Sequence, residues 1–247
     1  MRILILAAAL LLVAAGTAGA GWLYAIDGDN LYSVDPNDGD WESLSSSWTG
    51  TELMTSCQGN LFAISGDVLY IADPDNGNWE SLSSTWEGTH ALTASSSSLY
   101  GCQGGTIYEV DPSNGDWTSI PGDYEGTQFL AWAGGALMVI QNDILYRTDP
   151  DTGDFIELPS SYAGTTAAAG NSSTLFVVQG DNLYTVDPYT GDYSNLGGGY
   201  GGVSEMAVAN GLVYTIWEGT LWVTDSDTGE YEGLSVDWNY TTAFCSL

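Results

Sequence analysis

Beyond the first twenty residues, short runs of strand-forming, mostly apolar residues alternate with clusters of Gly, Asn, Asp and Ser. The stretch from residue 51 to residue 82 shows the unit. Thr51–Cys57 is strand-compatible, Gln58-Gly59-Asn60 is a turn, and Leu61–Ile64 is a second strand. Ser65-Gly66-Asp67 turns the chain again, Val68–Ala72 is a third strand, Asp73–Gly77 is a third turn, and Trp79–Leu82 is a fourth strand. Runs this short, bounded by turn formers, predict an antiparallel meander. No segment after residue 20 has a helical pattern.

The unit repeats without insertion or deletion. Asp35, Asp73, Asp111, Asp149, Asp187 and Asp225 stand 38 residues apart. Each opens an Asp-Pro-x-x-Gly turn, with Asp225-Ser226 replacing Asp-Pro in the last. Pro presets φ at the second turn position, and Gly39, Gly77, Gly115, Gly153, Gly191 and Gly229 supply the residue able to take φ > 0. Six four-stranded units of constant length predict an all-β fold, a six-bladed β-propeller over residues 21–247. Residue 22 begins one strand too late for a complete first blade, while Tyr240–Leu247 aligns with the first strands of the other units. The C-terminal strand should therefore complete blade one and close the ring, removing open edges.

Aromatic residues keep the same period in four columns. One is Trp41, Trp79, Trp117, Phe155, Tyr193 and Tyr231; a second is Trp48, Trp86, Tyr124, Tyr162, Tyr200 and Trp238. A third is Tyr32, Tyr70, Tyr108, Tyr146, Tyr184 and Trp222; a fourth is Tyr24, Phe62, Tyr100, Met138, Phe176 and Tyr214. Large rings at fixed blade positions predict packing between facing blades. The phrase Leu-Tyr-x-Val-Asp-Pro-x-x-Gly-x-Trp, followed by Trp-x-Gly-Thr and a small apolar strand, resembles kelch-type and related secreted bacterial propeller repeats across residues 21–247. The Gly-Gly pair typical of those repeats stands at Gly104-Gly105, whereas most units carry Gly-Asp, Asn-Asp or Glu-Gly, so the resemblance is one of form. It implies the fold and leaves function open, since such propellers serve as enzymes, lectins and scaffolds.

The N-terminus adds a location. Met1-Arg2, an apolar run from Ile3 to Ala15 and the ending Ala18-Gly19-Ala20 form the pattern of a secretory signal peptide over residues 1–20, cleaved before Gly21. The expected product is a secreted or cell-surface protein with no membrane segment. Its charge is one-sided: 32 acidic residues against two basic ones, Arg2 and Arg147, give a formal net charge of −30. Nucleic acid and anionic membranes would be repelled, and cations are the natural counter-partners.

The residues that could carry chemistry are few. His90 is the only histidine and stands in a variable polar column with Glu52, Gln128, Thr166, Ser204 and Thr242, which predicts a surface or channel-lining role. Sialidase-like chemistry needs clustered Arg, which a chain with only Arg147 beyond the leader lacks. A carboxylate-based hydrolase needs a symmetry-breaking acid pair, whereas nearly all the acids here sit in repeated turns. The turns holding Asp149, Asp151 and Asp154, and Asp35, Asp38 and Asp40, gather hard oxygens of the kind calcium takes, without the spacing of an EF-hand. Calcium is thus the one cofactor suggested. Exposed rings of the Trp48, Trp86, Tyr124, Tyr162, Tyr200 and Trp238 column could stack on sugars and give a lectin with repeated sites. Cys57 and Cys245, on first-type strands of neighbouring blades, could form a bridge locking the ring, with Cys102 left over. Asn171-Ser172-Ser173 and Asn239-Tyr240-Thr241 read as glycosylation triplets.

The sequence therefore predicts a non-enzymatic extracellular binding or structural module whose partner is a protein, a glycan or another copy of itself. A lectin-like propeller is the alternative. Docking of the C-terminal strand into a neighbour would assemble a surface layer or filament.

Overall fold

The computed structural model describes residues 21–247; the leader expected over residues 1–20 lies outside the described residues. The repeat folds as the turn spacing predicts. Twenty-four strands form six four-stranded antiparallel sheets, each a meander of consecutive strands except at the seam. There Thr241–Ser246 pairs with Leu23–Asp27, in the register Leu23↔Ser246, Tyr24↔Cys245 and Ile26↔Ala243. Leu247 N donates to Trp22 O at 2.9 Å, and Tyr240 N donates to the Asp27 carboxylate at 2.9 Å. The C-terminal strand thus closes the ring by completing blade one. Among the described residues no helix is long and apolar enough to cross a membrane.

The innermost strands, Thr51–Cys57, Thr89–Ala94, Thr127–Ala133, Thr165–Gly170, Glu205–Ala209 and Thr241–Ser246, touch one another in a closed circle. Their residues line an axial cavity of about 190 Å³, with Ala94, Ala168, Gly170 and Ala207 among the small residues on its wall. Hydroxyls stitch neighbouring inner strands: Ser246 Oγ donates to Val208 O at 2.8 Å and Ser56 Oγ to Ser246 O at 2.5 Å.

The core is divided into six inter-blade clusters. Trp48, for example, packs with Tyr24 and Ile26 of blade one and Met54 and Leu61 of blade two. The fourth aromatic column, Tyr24 to Tyr214, is buried throughout. The turn glycines have a second duty besides φ. Gly39 has φ +75, and a Cβ there would come within 2.8 Å of Leu234 Cβ on the outer strand of the preceding blade. Gly77 meets Leu44 in the same way. The turn of each blade is wedged against its predecessor, so Gly is required by close approach as well as by conformation.

The outer strands differ in length for a local reason. Trp41–Ser46, Trp79–Ser84, Tyr193–Gly198 and Tyr231–Val236 run six residues, whereas Trp117–Ser119 and Phe155–Glu157 stop after three. Pro121 and Pro159 follow the short ones two residues later. Without an N–H they cannot continue the ladder.

Candidate functional site

Three aromatic columns converge at the rim, and their exposures differ. The second column lies in the segments that cross from one blade to the next. Trp48, Trp86, Tyr124, Tyr162, Tyr200 and Trp238 are all buried, at 3–4% exposure. The three Trp indoles donate to the hydroxyl three residues earlier: Trp48 to Ser45 at 3.0 Å, Trp86 to Ser83 and Trp238 to Ser235 at 2.9 Å. These rings are therefore unavailable for stacking on a sugar, and the expectation that placed a lectin surface on this column is corrected. Each ring precedes a bend whose Thr docks back, as in the bond from Thr51 N to Trp48 O at 3.1 Å, and this turns the ring inward. Trp86→Ala should cost about 3–5 kcal/mol. Trp117→Ala, at a rim ring, should cost under about 1 kcal/mol. Chemical denaturation of the two variants checks the contrast; equal losses would contradict it.

The exposed rings belong to the outer strands. Trp41, Trp79, Trp117, Phe155, Tyr193 and Tyr231 are 44–60% exposed. Each stands edge-to-face on the ring of the adjacent third strand. The pairs are Tyr32–Trp41, Tyr70–Trp79, Tyr108–Trp117, Tyr146–Phe155, Tyr184–Tyr193 and Trp222–Tyr231, with centroids 5.1–5.8 Å apart. Such geometry satisfies the ring quadrupoles and fixes each outer ring in place. The result is a belt of six held, half-exposed aromatic rings around an acidic disc.

Grooves open beside these rings at equivalent positions. One, of about 230 Å³, is lined by Thr85, Trp86, Gln103, Tyr108 and Trp117. Its counterpart two blades on is larger, about 320 Å³, with Ser161, Tyr162, Gln179, Tyr184 and Tyr193 in the matching places. The phenol of Tyr162 fills less space than the indole of Trp86. Gln103 and Gln179 each donate both carboxamide hydrogens to crossing-segment carbonyls: Gln103 to Thr85 O at 2.8 Å and Glu87 O at 2.6 Å, Gln179 to Ser161 O at 3.0 Å and Ala163 O at 2.7 Å. Each Gln is thereby pinned to the crossing segment beside its groove.

The acidic turns do not gather. Asp149 Oδ1 accepts from Asp151 N at 2.9 Å and Thr152 N at 3.3 Å, while Asp154 N donates to Thr152 Oγ1. Asp35 Oδ1 accepts from Asn37 N at 2.8 Å, and Asp38 Oδ1 from Asp40 N at 3.0 Å. Among the described residues no three His, Cys, Asp or Glu side chains converge as a metal set. The structure does not bring Asp149, Asp151 and Asp154, or Asp35, Asp38 and Asp40, together as a metal set; the Asp149, Asp35 and Asp38 carboxylates cap their own turns instead. The same bonding holds the Asp111 and Asp225 carboxyls below the usual range, through Ser113 and through the Thr228 and Asp227 amides. Salt should stabilise this protein by screening its net charge. Calcium and sodium at matched ionic strength should then raise the melting temperature equally; a clear excess with calcium would point to a specific site.

The expected Cys57–Cys245 bridge is corrected too. All three cysteines are free and buried. Cys245 packs between blades one and two with Tyr24 and Met54, whereas Cys57 faces the opposite side of its sheet, toward Trp86 and Leu99 of the next interface. Its thiol meets Ser95 O at 3.4 Å. Met54 and Cys57 are three residues apart, so strand alternation puts them on opposite faces. Burial raises the thiol pKa of all three cysteines, keeping them protonated.

His90 is exposed, with Nδ1 3.5 Å from Gly88 O, and no carboxylate among the described residues orients it. The Arg147 guanidinium lies over Tyr189, 4.9 Å from the ring centroid, and Tyr189 Oη donates to Gly134 O at 2.7 Å. The cation therefore fastens blade five to blade four. One group escaped the sequence reading. Glu205 stands in a column with Leu53, Ala91, Phe129, Ala167 and Ala243, where it is the only acid. It lies opposite Ile216, on the blade face that carries Ala207 and Ala209 toward blade one. Burial pushes its carboxyl up to about 8. A lone acid in an otherwise apolar column is the signal that could have exposed it; the aromatic columns and the polar column of His90 do not contain it.

No family model matches the chain, and no curated protein matches it. The solved structures give the fold: 849 chains match. One is a chain of the crystal structure of a nidogen/laminin complex, 10% identical, with a TM-score of 0.78 over 92% of this chain and 98% of that one. At that identity the likeness concerns the fold, and the ring of six blades is common to both readings of the chain, from its repeats and from its shape.

Proposed function

We propose that this protein is a non-enzymatic, extracellular binding module that engages its partner through the rim. The observation that carries the reading is the belt of six outer-strand rings, 44–60% exposed at equivalent positions in every blade. Packing does not demand their exposure, since the buried second and fourth columns already fill the inter-blade cores. Half-exposed Trp and Tyr are the side chains that dominate binding surfaces. Sixfold repetition gives avidity to weak single contacts. The propeller of similar fold found in a nidogen/laminin complex supports a role for this shape in docking macromolecules. The signal-peptide pattern of residues 1–20 supports export. The net charge of −30 turns nucleic acid and anionic surfaces away.

Catalysis finds little support. The single histidine has no orienting partner, the one described arginine serves packing, and the repeated acids cap turns. Assembly by exchange of the C-terminal strand loses its motive when that strand is paired within its own blade one, so a monomer is the expected state in light scattering. The test of the binding reading is retention on the extracellular material of the source cells. Fluorescently labelled protein should be retained, and a Trp41→Ser/Trp79→Ser/Trp117→Ser variant with unchanged melting should be released. Equal retention of the two would refute a rim site.

A further inference from the structure

Each outer strand is the last of its sheet, so one of its edges is unpaired. Blades one and two carry the same outer strand there, Trp-Glu-Ser-Leu-Ser-Ser, as Trp41–Ser46 and Trp79–Ser84, with no proline to interrupt it. The first three residues pair regularly with the third strand, from Val34↔Trp41 to Tyr32↔Ser43 in one blade and from Ala72↔Trp79 to Tyr70↔Ser81 in the next, so the free edge beside them is extended. Side chains alternate along a strand, which sets the indole on one side of that edge and the carboxylate of Glu42 or Glu80 on the other. Trp41 is 52% exposed and Trp79 44%. Glu42 and Glu80 are exposed too. Asp40, directly before Trp41, closes its turn through its backbone N–H, while its carboxylate accepts no hydrogen bond among the described residues. In blade two, Asp73 and Glu80 line a groove of about 280 Å³ together with Trp79.

Resting on the binding reading above, we propose that the outer edges of blades one and two dock a basic, extended segment of a partner protein. The free edge offers backbone N–H and C=O groups to an added strand. The indoles offer ring surface to Arg or Lys side chains. The carboxylates beside them carry charge that the protein does not neutralise itself, since Arg147 is the only Lys or Arg among the described residues. An added strand also alternates its side chains, so consecutive basic residues meet the ring on one side and the carboxylates on the other. The molecule makes the same contact once internally: the Arg147 guanidinium lies 4.9 Å from the centroid of Tyr189, in the acidic turn that runs from Asp187 to Asp192. A second copy of this chain is a poor occupant, because edges bearing the same carboxylates repel each other.

Isothermal titration of the purified protein tests the assignment with three probes: a peptide in which Arg-Lys-Val-Thr is repeated three times, the same peptide with Gln at every basic position, and spermine. The basic peptide should bind, more weakly as salt rises, and the Gln peptide should not. Trp41→Ser/Trp79→Ser leaves the net charge unchanged and should weaken binding about tenfold, the loss expected when a cation is deprived of its ring. Glu42→Gln/Glu80→Gln, on exposed side chains, should weaken it as well and flatten its salt dependence. Tyr240→Ser removes a ring that is 74% exposed on a crossing segment, away from both edges, and should leave binding as it was. Melting curves establish that each variant is folded. Four results would overturn the proposal: the basic peptide does not bind, the Gln peptide binds equally, affinity is indifferent to the Trp pair so that bulk charge alone attracts the peptide, or spermine binds as tightly with the same dependence on the Trp pair. Any of these, alongside ring-dependent retention on cells, would remove the basic-segment assignment and leave the rim reading standing.

Discussion

Removing residues Thr241–Leu247 is expected to abolish the cooperative monomer. The segment supplies the innermost strand of blade one, pairing along Leu23–Asp27 and touching the inner strands of blades two and six. Its Phe244 packs with Ala207 and Trp238 at one interface, and Ala243 and Cys245 pack with Met54 and Leu61 at the other. Loss of these contacts opens two of the six cores and bares the edge at Leu23–Asp27. The cost is on the order of 5 kcal/mol or more, comparable with the whole stability of a domain. An unpaired strand edge in a ring is also a template for intermolecular pairing. Size-exclusion chromatography with light scattering should show aggregates or strand-exchanged oligomers, and thermal melting by circular dichroism should lose its sharp transition. A peptide spanning residues 241–247, added in trans, should restore both by strand addition. A truncated protein that melts cooperatively as a monomer within a few degrees of the full chain would show that the seam does not hold the ring.

The interval of the Asp35 to Asp225 column made blade number, strand order and seam legible in the sequence, because closure of equal units leaves few alternatives. The site was less legible. The columns headed by Trp41 and Trp48 have the same period and similar composition, so periodicity alone cannot tell which faces solvent. What decides is local: Trp41 begins an edge strand with one free side, whereas Trp48 lies before a Gly50-Thr51 bend that folds it under the next blade. The same limit explains the cysteines. Cys57 and Cys245 sit on neighbouring inner strands two positions out of register, so both point to the same side of their own sheets, Cys245 into the interface of blades one and two and Cys57 into the next interface. Nearness along the inner ring is legible in the repeat, but which interface each thiol enters follows from the face it takes. The Asp turns were misleading for the opposite reason: the leading carboxylates, such as Asp35 and Asp149, are engaged by their own turn amides, which sequence proximity cannot distinguish from convergence.

Glu205 sets the second large expectation, a pH dependence of stability that one substitution should remove. Folding moves its carboxyl from an ordinary value of 4.5 up to about 8, because the charged form is desolvated between blades six and one. The folded state therefore holds this proton more tightly than the unfolded chain. The sign follows from linkage: the group costs nothing below about pH 4.5, its penalty grows as pH rises toward 8, and the loss is complete above that. At about 1.4 kcal/mol per pH unit the penalty is bounded by about 5 kcal/mol, and the half-buried position of Glu205 keeps it below that bound. The other acids also destabilise the ring through mutual repulsion as pH rises, but they do so equally in wild type and variant. The difference between wild type and Glu205→Gln thus isolates one carboxyl. Urea denaturation at pH 4.5, 6.5 and 8.5 should give nearly equal stabilities at the lowest pH and a variant more stable by several kcal/mol at the highest. Parallel profiles would mean that Glu205 finds water or a partner on ionising, and that the seam between the last blade and the first is wetter than its apolar neighbours imply. A widening gap would identify the ring's closing interface as the place where rising pH first loosens the propeller, since Glu205 faces the strand on which closure depends.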